Sequence, residues 1–243
     1  MPIIIPEAQI PRITEALAAR RPPFPDRAVA CHPAPASRIR SREIADLIWL
    51  PGSIDGTLAR RRSVRKFRRD PVPESMVKAV VTAARDAEAA TWPASSHGAF
   101  RFEILVAAYA VEGVARGLHA TSTGAGLRPL GSYDACLRSL PALYADAPVL
   151  VLICGDLNGA CRAGGASGYA SMLTRAGTIG YAAWLWAVSA GLAGSVYAAA
   201  SHEVTGAARK LDPNLRHLFT LALGAPAEHV QSPAGSVTDH GAK

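Results

Sequence analysis

The sequence predicts one domain that mixes helices and strands, preceded by a basic arm and followed by a short polar tail. Three observations carry this reading. Pro148-Val149-Leu150-Val151-Leu152-Ile153-Cys154 is a continuous apolar run of strand length, the pattern of a central strand buried on both faces. Tyr169 to Ala190 is a helix-length stretch with small residues nearly all round it, the pattern of a helix buried in the core. The weaker helix and strand patterns on either side contain no internal repeat and no linker sharp enough to split off a second domain.

In chain order, residues 1–42 read as a Pro-rich basic arm: one helix over Glu7 to Arg21, stopped by Arg21-Pro22-Pro23-Phe24-Pro25, then little apolar content. Met1-Pro2-Ile3-Ile4-Ile5-Pro6 lacks the basic and long apolar regions of a signal peptide. The folded domain, 43–226, opens on a helix capped by Ser41 and ended by Pro51-Gly52. A short helix over Thr57 to Arg62 delivers a basic segment. Pro71-Val72-Pro73-Glu74 turns the chain into a helix whose apolar stripe is Met76, Val77, Val80, Val81 and Ala84. Trp92 to Ala99 reads as a Ser-rich loop, Phe102 to Ala108 as a strand, Gly113 to Gly131 as an irregular connection, and Tyr133 to Tyr144 as a helix. After the central strand, Gly159 to Gly168 reads as a small-residue loop before the long helix. A strand over Gly194 to Tyr197, a helix capped by Ser201 and a last strand over His217 to Leu223 complete the domain. Residues 227–243 read as a loose tail.

Composition narrows the function. The chain has 243 residues and a formal net charge of +7, but residues 1–69 hold 14 Lys/Arg against 6 Asp/Glu, and the rest holds 12 against 13. The basic character belongs to the N-terminal part. It suits an anionic cofactor or an acidic peptide. No aromatic-interleaved basic run or zinc-finger spacing points to nucleic acid. Cys31, Cys136, Cys154 and Cys161 form no CxxC pair, so they read as reduced thiols of a cytoplasmic protein without a metal site. Ala176 to Ser201 is uncharged, but Gly191-Leu192-Ala193-Gly194 breaks it short of the about 20 apolar residues a membrane span needs.

The stretch richest in chemistry is Arg61-Arg62-Ser63-Val64-Arg65-Lys66-Phe67. Guanidinium forks and a hydroxyl suit phosphate oxygens, and Phe67 can anchor the segment in a core. The alternative reading is a solvated helix end.

Taken in order, the basic RRSVRKF segment, the Pro-Val-Pro helix, the Ser-rich loop, the long small-residue helix, Gly-Leu-Ala-Gly and the final Leu-Ala-Leu-Gly-Ala-Pro resemble the nitroreductase superfamily of FMN flavoproteins. Within it the chain is most similar to the streptolysin-S-type azoline dehydrogenases and the oxidase domains of nonribosomal synthetases. Ser96-His97-Gly98-Ala99-Phe100, Arg116-Gly117-Leu118-His119 with Leu127-Arg128-Pro129-Leu130-Gly131, and Gly168-Tyr169 through Ala176-Gly177 carry that likeness. The resemblance implies an α+β fold, a mixed sheet flanked by helices, and an intertwined homodimer with FMN at the subunit interface. It implies that Arg61, Arg62, Ser63 and Arg65 contact the flavin's phosphate, ribityl chain and ring. Ser95 and Ser96 would lie beside the flavin, and the backbone N–H groups of the strand end at Ala198 and Ala199 would face its N5 edge. Tyr169 is the implied base, helped by Arg162 or Arg175, and His97 a second hydrogen-bonding or proton-holding group. Tyr181 and Trp184 read as core residues.

The implied reaction is oxidation of a peptide or carrier-bound azoline to an azole, with a cyclodehydratase or synthetase as partner. Two other readings stand beside it: an NAD(P)H-driven nitro- or quinone-type reductase, and a flavin-poor scaffold that docks an acidic peptide. The chain departs from the azoline branch on the substrate side. Ala163-Gly164 stands for Lys-Tyr, Ser167-Gly168-Tyr169-Ala170 for Arg-Gly-Tyr-Arg, Arg175 for Glu and Tyr181-Ala182 for Gln-Asn.

Overall fold

The computed structural model describes residues 51–93, 100–122 and 126–227. The arm 1–42, the helix expected from Ser41, residues Ala94–Ala99 of the Ser-rich loop and the tail beyond Ala227 lie outside the described residues.

A short helix, α1 (Ile54–Arg60), starts where the Ser53 hydroxyl accepts the Gly56 N–H at 3.2 Å. The buried Thr57 hydroxyl donates to the Ser53 carbonyl at 2.9 Å and ties the first turn down. Next come α2 (Glu74–Thr91), β1 (Phe102–Ala108), β2 (Gly117–Ser122), β3 (Gly126–Pro129), α3 (Asp134–Leu143), β4 (Val149–Gly155), α4 (Leu157–Ser189), β5 (Ala193–Tyr197), α5 (His202–Ala208) and β6 (Arg216–Gly224).

The strands form one sheet in the order β3-β2-β1-β4-β6-β5, and every neighbouring pair is antiparallel. The α+β class follows the expectation. Among the described residues, parallel pairing is confined to two isolated bridges, Ser63 with Gly194 and Val72 with Val111. β4 is buried along its whole length between β1 and β6, as its unbroken apolar run requires. One face of the sheet, with Ile104, Val106, Val151, Ile153, Leu221 and Leu223, packs on α2 and α4. The other, with Leu105, Ala107, Leu150, Leu152 and Ala222, packs on α3 and α5.

One register shift interrupts the ladder. Ile153 pairs with Phe219, but Cys154 pairs with His217, so Leu218 is an extra residue in β6. Side chains alternate faces along a strand, and an inserted residue reverses the alternation beyond it. His217 therefore faces α5 rather than α4.

Two expectations are corrected. The connection from Gly113 to Gly131 is not irregular, because it holds the β2–β3 hairpin. Gly, Ala and Ser give β2 a weak local strand signal. It forms because β1 supplies a pairing edge, and because the Thr121 hydroxyl donates to the Ile104 carbonyl at 2.7 Å. The expected loop from Gly159 to Gly168 is largely helical. Asp156 caps it by accepting the Gly159 N–H at 2.7 Å, and Ala160 is buried. The helix breaks only at Gly165, whose φ of 54° and ψ of −133° leave the helical region. Among the described residues no helix is long and apolar enough to cross a membrane.

Candidate functional site

After α1 the basic segment runs in extended form along β5, the outer strand of the sheet. The Val64 N–H donates to the Gly194 carbonyl at 2.9 Å, Ser63 bridges Gly194, and Phe67 bridges Pro226. Lys66 and Arg68 are tied to the chain leaving β6: the Ala227 N–H donates to the Lys66 carbonyl at 3.0 Å, and the Arg68 N–H to the Ala225 carbonyl at 2.9 Å. Phe67 packs on the α3/α5 side of the core, the anchor its place in the sequence suggested. The segment is thus a built edge of the sheet rather than a solvated helix end.

Its two outer arginines address different aromatic groups. The Arg61 guanidinium lies 4.9 Å from the Trp184 ring centroid and 6.0 Å from that of Tyr181. The Arg65 guanidinium lies 6.0 Å from the Tyr197 ring. Arg62 and Ser63 are exposed. Trp184 is buried, as expected of a core residue, but Tyr181 is exposed against expectation, because it sits on the outer side of α4. Around the segment, Arg61 Nε, Trp184 Nε1, Ser195 Oγ and Tyr197 OH are buried polar atoms without a partner among the described residues. These atoms lie on two sides of the sheet, Trp184 with Arg61 over it in the α4-side core and Tyr197 and Ser195 on the α3/α5 side. Buried polar groups ordinarily find partners, so the Arg61–Trp184 pair is where a polar ligand would complete the bonding nearest the segment. Gly194 makes the close approach possible: a Cβ there would lie 2.9 Å from the Ala222 carbonyl oxygen and 2.9 Å from Trp184 Cδ1.

Beyond Tyr197, residues Ala198, Ala199 and Ala200 are exposed. The Tyr144 hydroxyl donates to the Ala199 carbonyl at 2.9 Å, and the Ser201 N–H donates to His217 Nδ1 at 2.9 Å. His217 Nε2 lies 3.1 Å from the Phe219 carbonyl and 2.9 Å from Thr220 Oγ1. Sequence reasoning missed Tyr144 and His217. Neither sits in a motif, and the bulge that turns His217 toward Ser201 is invisible in a single strand's pattern.

Burial pushes the His217 pKa down to about 4, against a smaller opposing effect of the Phe219 carbonyl. The unfolded imidazole, near 6.5, takes up its proton first on acidification, so the stability present above pH 6.5 is lost as the pH falls toward 4. Denaturant unfolding at pH 7.5 and pH 4.5 is expected to differ by about 3 kcal/mol more in the native chain than in His217→Gln. Equal differences would rule out His217 as a source of acid sensitivity.

Tyr169, the implied base, lies on α4 four residues after the break at Gly165. It is 45% exposed, and its hydroxyl makes no hydrogen bond among the described residues. Arg175 does not assist it. It is 3% exposed, turned inward, and its Nε donates to Glu88 of α2 at 2.7 Å while its second nitrogen contacts the same carboxylate. The aromatic faces of Phe100 and Phe102 flank that guanidinium. Arg162 is exposed. Ser95, Ser96 and His97 lie outside the described residues. Burial pushes the Cys136 thiol up to about 11 and Cys154 higher still, so neither is a thiolate at neutral pH. Separately, a cavity of about 610 Å³ opens between α2 and the sheet, lined among others by Lys78, Arg85, Glu88, Phe102 and Leu127. It shares no residue with the basic segment.

The fold is α+β, and its outer strand carries a basic segment whose groups suit an anionic, polar ligand. The sequence profile of the Nitroreductase family matches residues 58–224, most of the chain. The chain belongs to the nitroreductase family, a class of FMN-dependent oxidoreductases. Among solved structures, a protein assigned as a nitroreductase from Anabaena variabilis superposes with a TM-score of 0.56 at 19% identity. That match covers 71% of this chain and 38% of the Anabaena chain. Another so assigned, from Ralstonia eutropha, gives a TM-score of 0.59 at 20% identity over 73% of this chain and 85% of its own. These likenesses bear on the fold. No curated protein matches the sequence.

Proposed function

We propose that this chain binds FMN along its basic segment and dehydrogenates a peptide or peptide-derived substrate in natural-product biosynthesis, by converting an azoline to an azole. The observation that carries the reading is the fixing of Arg61-Arg62-Ser63-Val64-Arg65 to β5, beside buried polar atoms that lack partners. The Arg61, Arg62 and Arg65 guanidinium groups suit phosphate and ring oxygens, and the Ser63 hydroxyl suits the ribityl chain. When bound, FMN supplies a hydride acceptor at N5. The chain's part is to orient that ring with backbone donors after Tyr197, to exclude water, and to take one proton from substrate carbon. Tyr169 is the residue we assign to the proton, and we keep for His97, Ser95 and Ser96 the flavin-side roles the resemblance implies. Exposed Tyr169, Leu173 and Tyr181 line one side of α4, and we read this face as the one a second copy covers in a homodimer.

A second reading draws on Arg175. Its guanidinium is turned inward to Glu88, so Arg175 is not the cation that supports Tyr169 as a base. NAD(P)H-driven reduction of a nitro or quinone group needs no enzyme base at carbon.

The purified protein is expected to be yellow or to become so with FMN. Arg61→Ala/Arg65→Ala should weaken FMN binding by at least about 100-fold, since a hydrogen bond to a charged group contributes about 1.5–3 kcal/mol. A colourless chain that FMN cannot reconstitute overturns both enzyme readings in favour of a scaffold. Undiminished binding by the double variant overturns the assigned phosphate grip. Oxidation of a thiazoline peptide, against turnover of a nitroaromatic with NAD(P)H, separates the two reactions.

A further inference from the structure

We propose that Tyr144 and His217 are positioning residues that fix Ala200 as the group presented to the flavin edge. The inference rests on the FMN reading above, but its geometry belongs to the chain alone. Ala198, Ala199 and Ala200 have no side chain able to hold the strand end in place. Outside the sheet ladder, no backbone–backbone hydrogen bond among the described residues engages them. The segment is held instead by side chains from two other elements. Tyr144, at the end of α3, donates its hydroxyl to the Ala199 carbonyl at 2.9 Å. His217, turned by the β6 bulge, accepts the Ser201 N–H on Nδ1 at 2.9 Å.

These two bonds orient two successive peptide planes. No peptide bond among the described residues is cis, and in a trans peptide the C=O and N–H point in opposite directions. With the Ala199 carbonyl drawn toward Tyr144, the Ala200 N–H points away from Tyr144. With the Ser201 N–H drawn toward His217, the Ala200 carbonyl points away from His217. The rings of Tyr144 and His217 are edge-on neighbours, 6.1 Å between centroids, so both bonds pull toward one side. Ala200 is left with a donor and an acceptor turned to the other side. A fixed N–H donor would bond the lone pair that an oxidised, hydride-accepting nitrogen presents, and so would hold that nitrogen in place and favour the oxidised form.

The Tyr144 ring also lies 5.4 Å from the Tyr197 ring, which faces Arg65. The strand end and the basic segment are therefore referred to one aromatic group. Burial raises the Tyr144 pKa, so the hydroxyl remains a donor through the neutral range.

Tyr144→Phe keeps the ring and removes the hydroxyl. Two measurements test the assignment. In the cofactor-free chain, hydrogen exchange of the Ser201 amide should become about tenfold faster in the variant, with exchange in β4 unchanged. In the FMN-loaded chain, the flavin midpoint potential should move to less negative values, with the FMN dissociation constant within about twofold of the native one. A purely structural role would raise the dissociation constant and leave the potential in place. Unchanged exchange and an unchanged potential would overturn the proposal. If the native chain binds no FMN, the FMN reading fails on that result, and so does Ala200 as a flavin contact. The exchange measurement still decides whether Tyr144 holds the strand end.

Discussion

Glu88→Ala is expected to lower the unfolding free energy by about 3 kcal/mol, the low end of what breaking a buried ion pair costs. Arg175 is 3% exposed, and its guanidinium meets the Glu88 carboxylate through two nitrogens between α4 and α2. Removing the carboxylate leaves a buried positive charge without that counter-charge. Glu88 itself is partly solvent-exposed, which is why the low end is chosen. Glu88→Gln, which keeps an acceptor, should lose less. Glu88→Leu/Arg175→Met should recover most of the loss, because well-packed apolar pairs often replace buried ion pairs at little cost. Denaturant unfolding of the four proteins measures this directly. A Glu88→Ala midpoint equal to the native one would show that the pair contributes nothing.

Gly194→Ala should damage both the fold and the site. The added methyl would sit 2.9 Å from the Ala222 carbonyl oxygen, 2.9 Å from Trp184 Cδ1 and 3.0 Å from Leu223 Cδ2. The first of these is backbone within the β5–β6 ladder, so β5 must move. Overpacking of this kind costs about 1–3 kcal/mol, and a chain of this size should lose roughly 4–8 °C in Tm for a loss near the middle of that range. The Val64 N–H bonds to the Gly194 carbonyl, and Ser63 bridges the same residue. The basic segment must therefore shift with the strand. FMN affinity is expected to fall about tenfold by titration at a temperature where the variant is folded. A stable variant with native FMN affinity would mean that the segment's attachment to β5 does not build the site.

Much of the architecture was legible because it rests on local patterns. The apolar run of β4, the stripe of α2, the Ser201 cap and the small-residue helix each signal their state within a few turns of chain. The short helix before the basic segment, expected over Thr57 to Arg62, instead starts three residues earlier, from the Ser53 cap. The basic segment was legible as chemistry, because four cations and a hydroxyl in seven residues are unusual. Its orientation was not. Arg61 and Arg65 turn toward different aromatic partners, Trp184 and Tyr197, and those partners come from elements more than a hundred residues away. Arg175 misled for the same reason. In sequence it stands near Tyr169 and reads as its helper, whereas in the fold the helix turns its side chain inward to Glu88.

The sequence by itself determined the class of fold, the central strand and buried helix, and a segment whose chemistry suits an anionic cofactor. Those features follow from periodicity and composition over short stretches. Only the tertiary structure decided what surrounds that segment and the end of β5: the Gly194 contact that seats the basic segment, the Leu218 bulge that turns His217, and the Tyr144 hydroxyl that reaches Ala199. Each depends on the register between strands or helices distant in the chain. A shift of one residue in that register reverses the face a side chain occupies, and no local pattern records it.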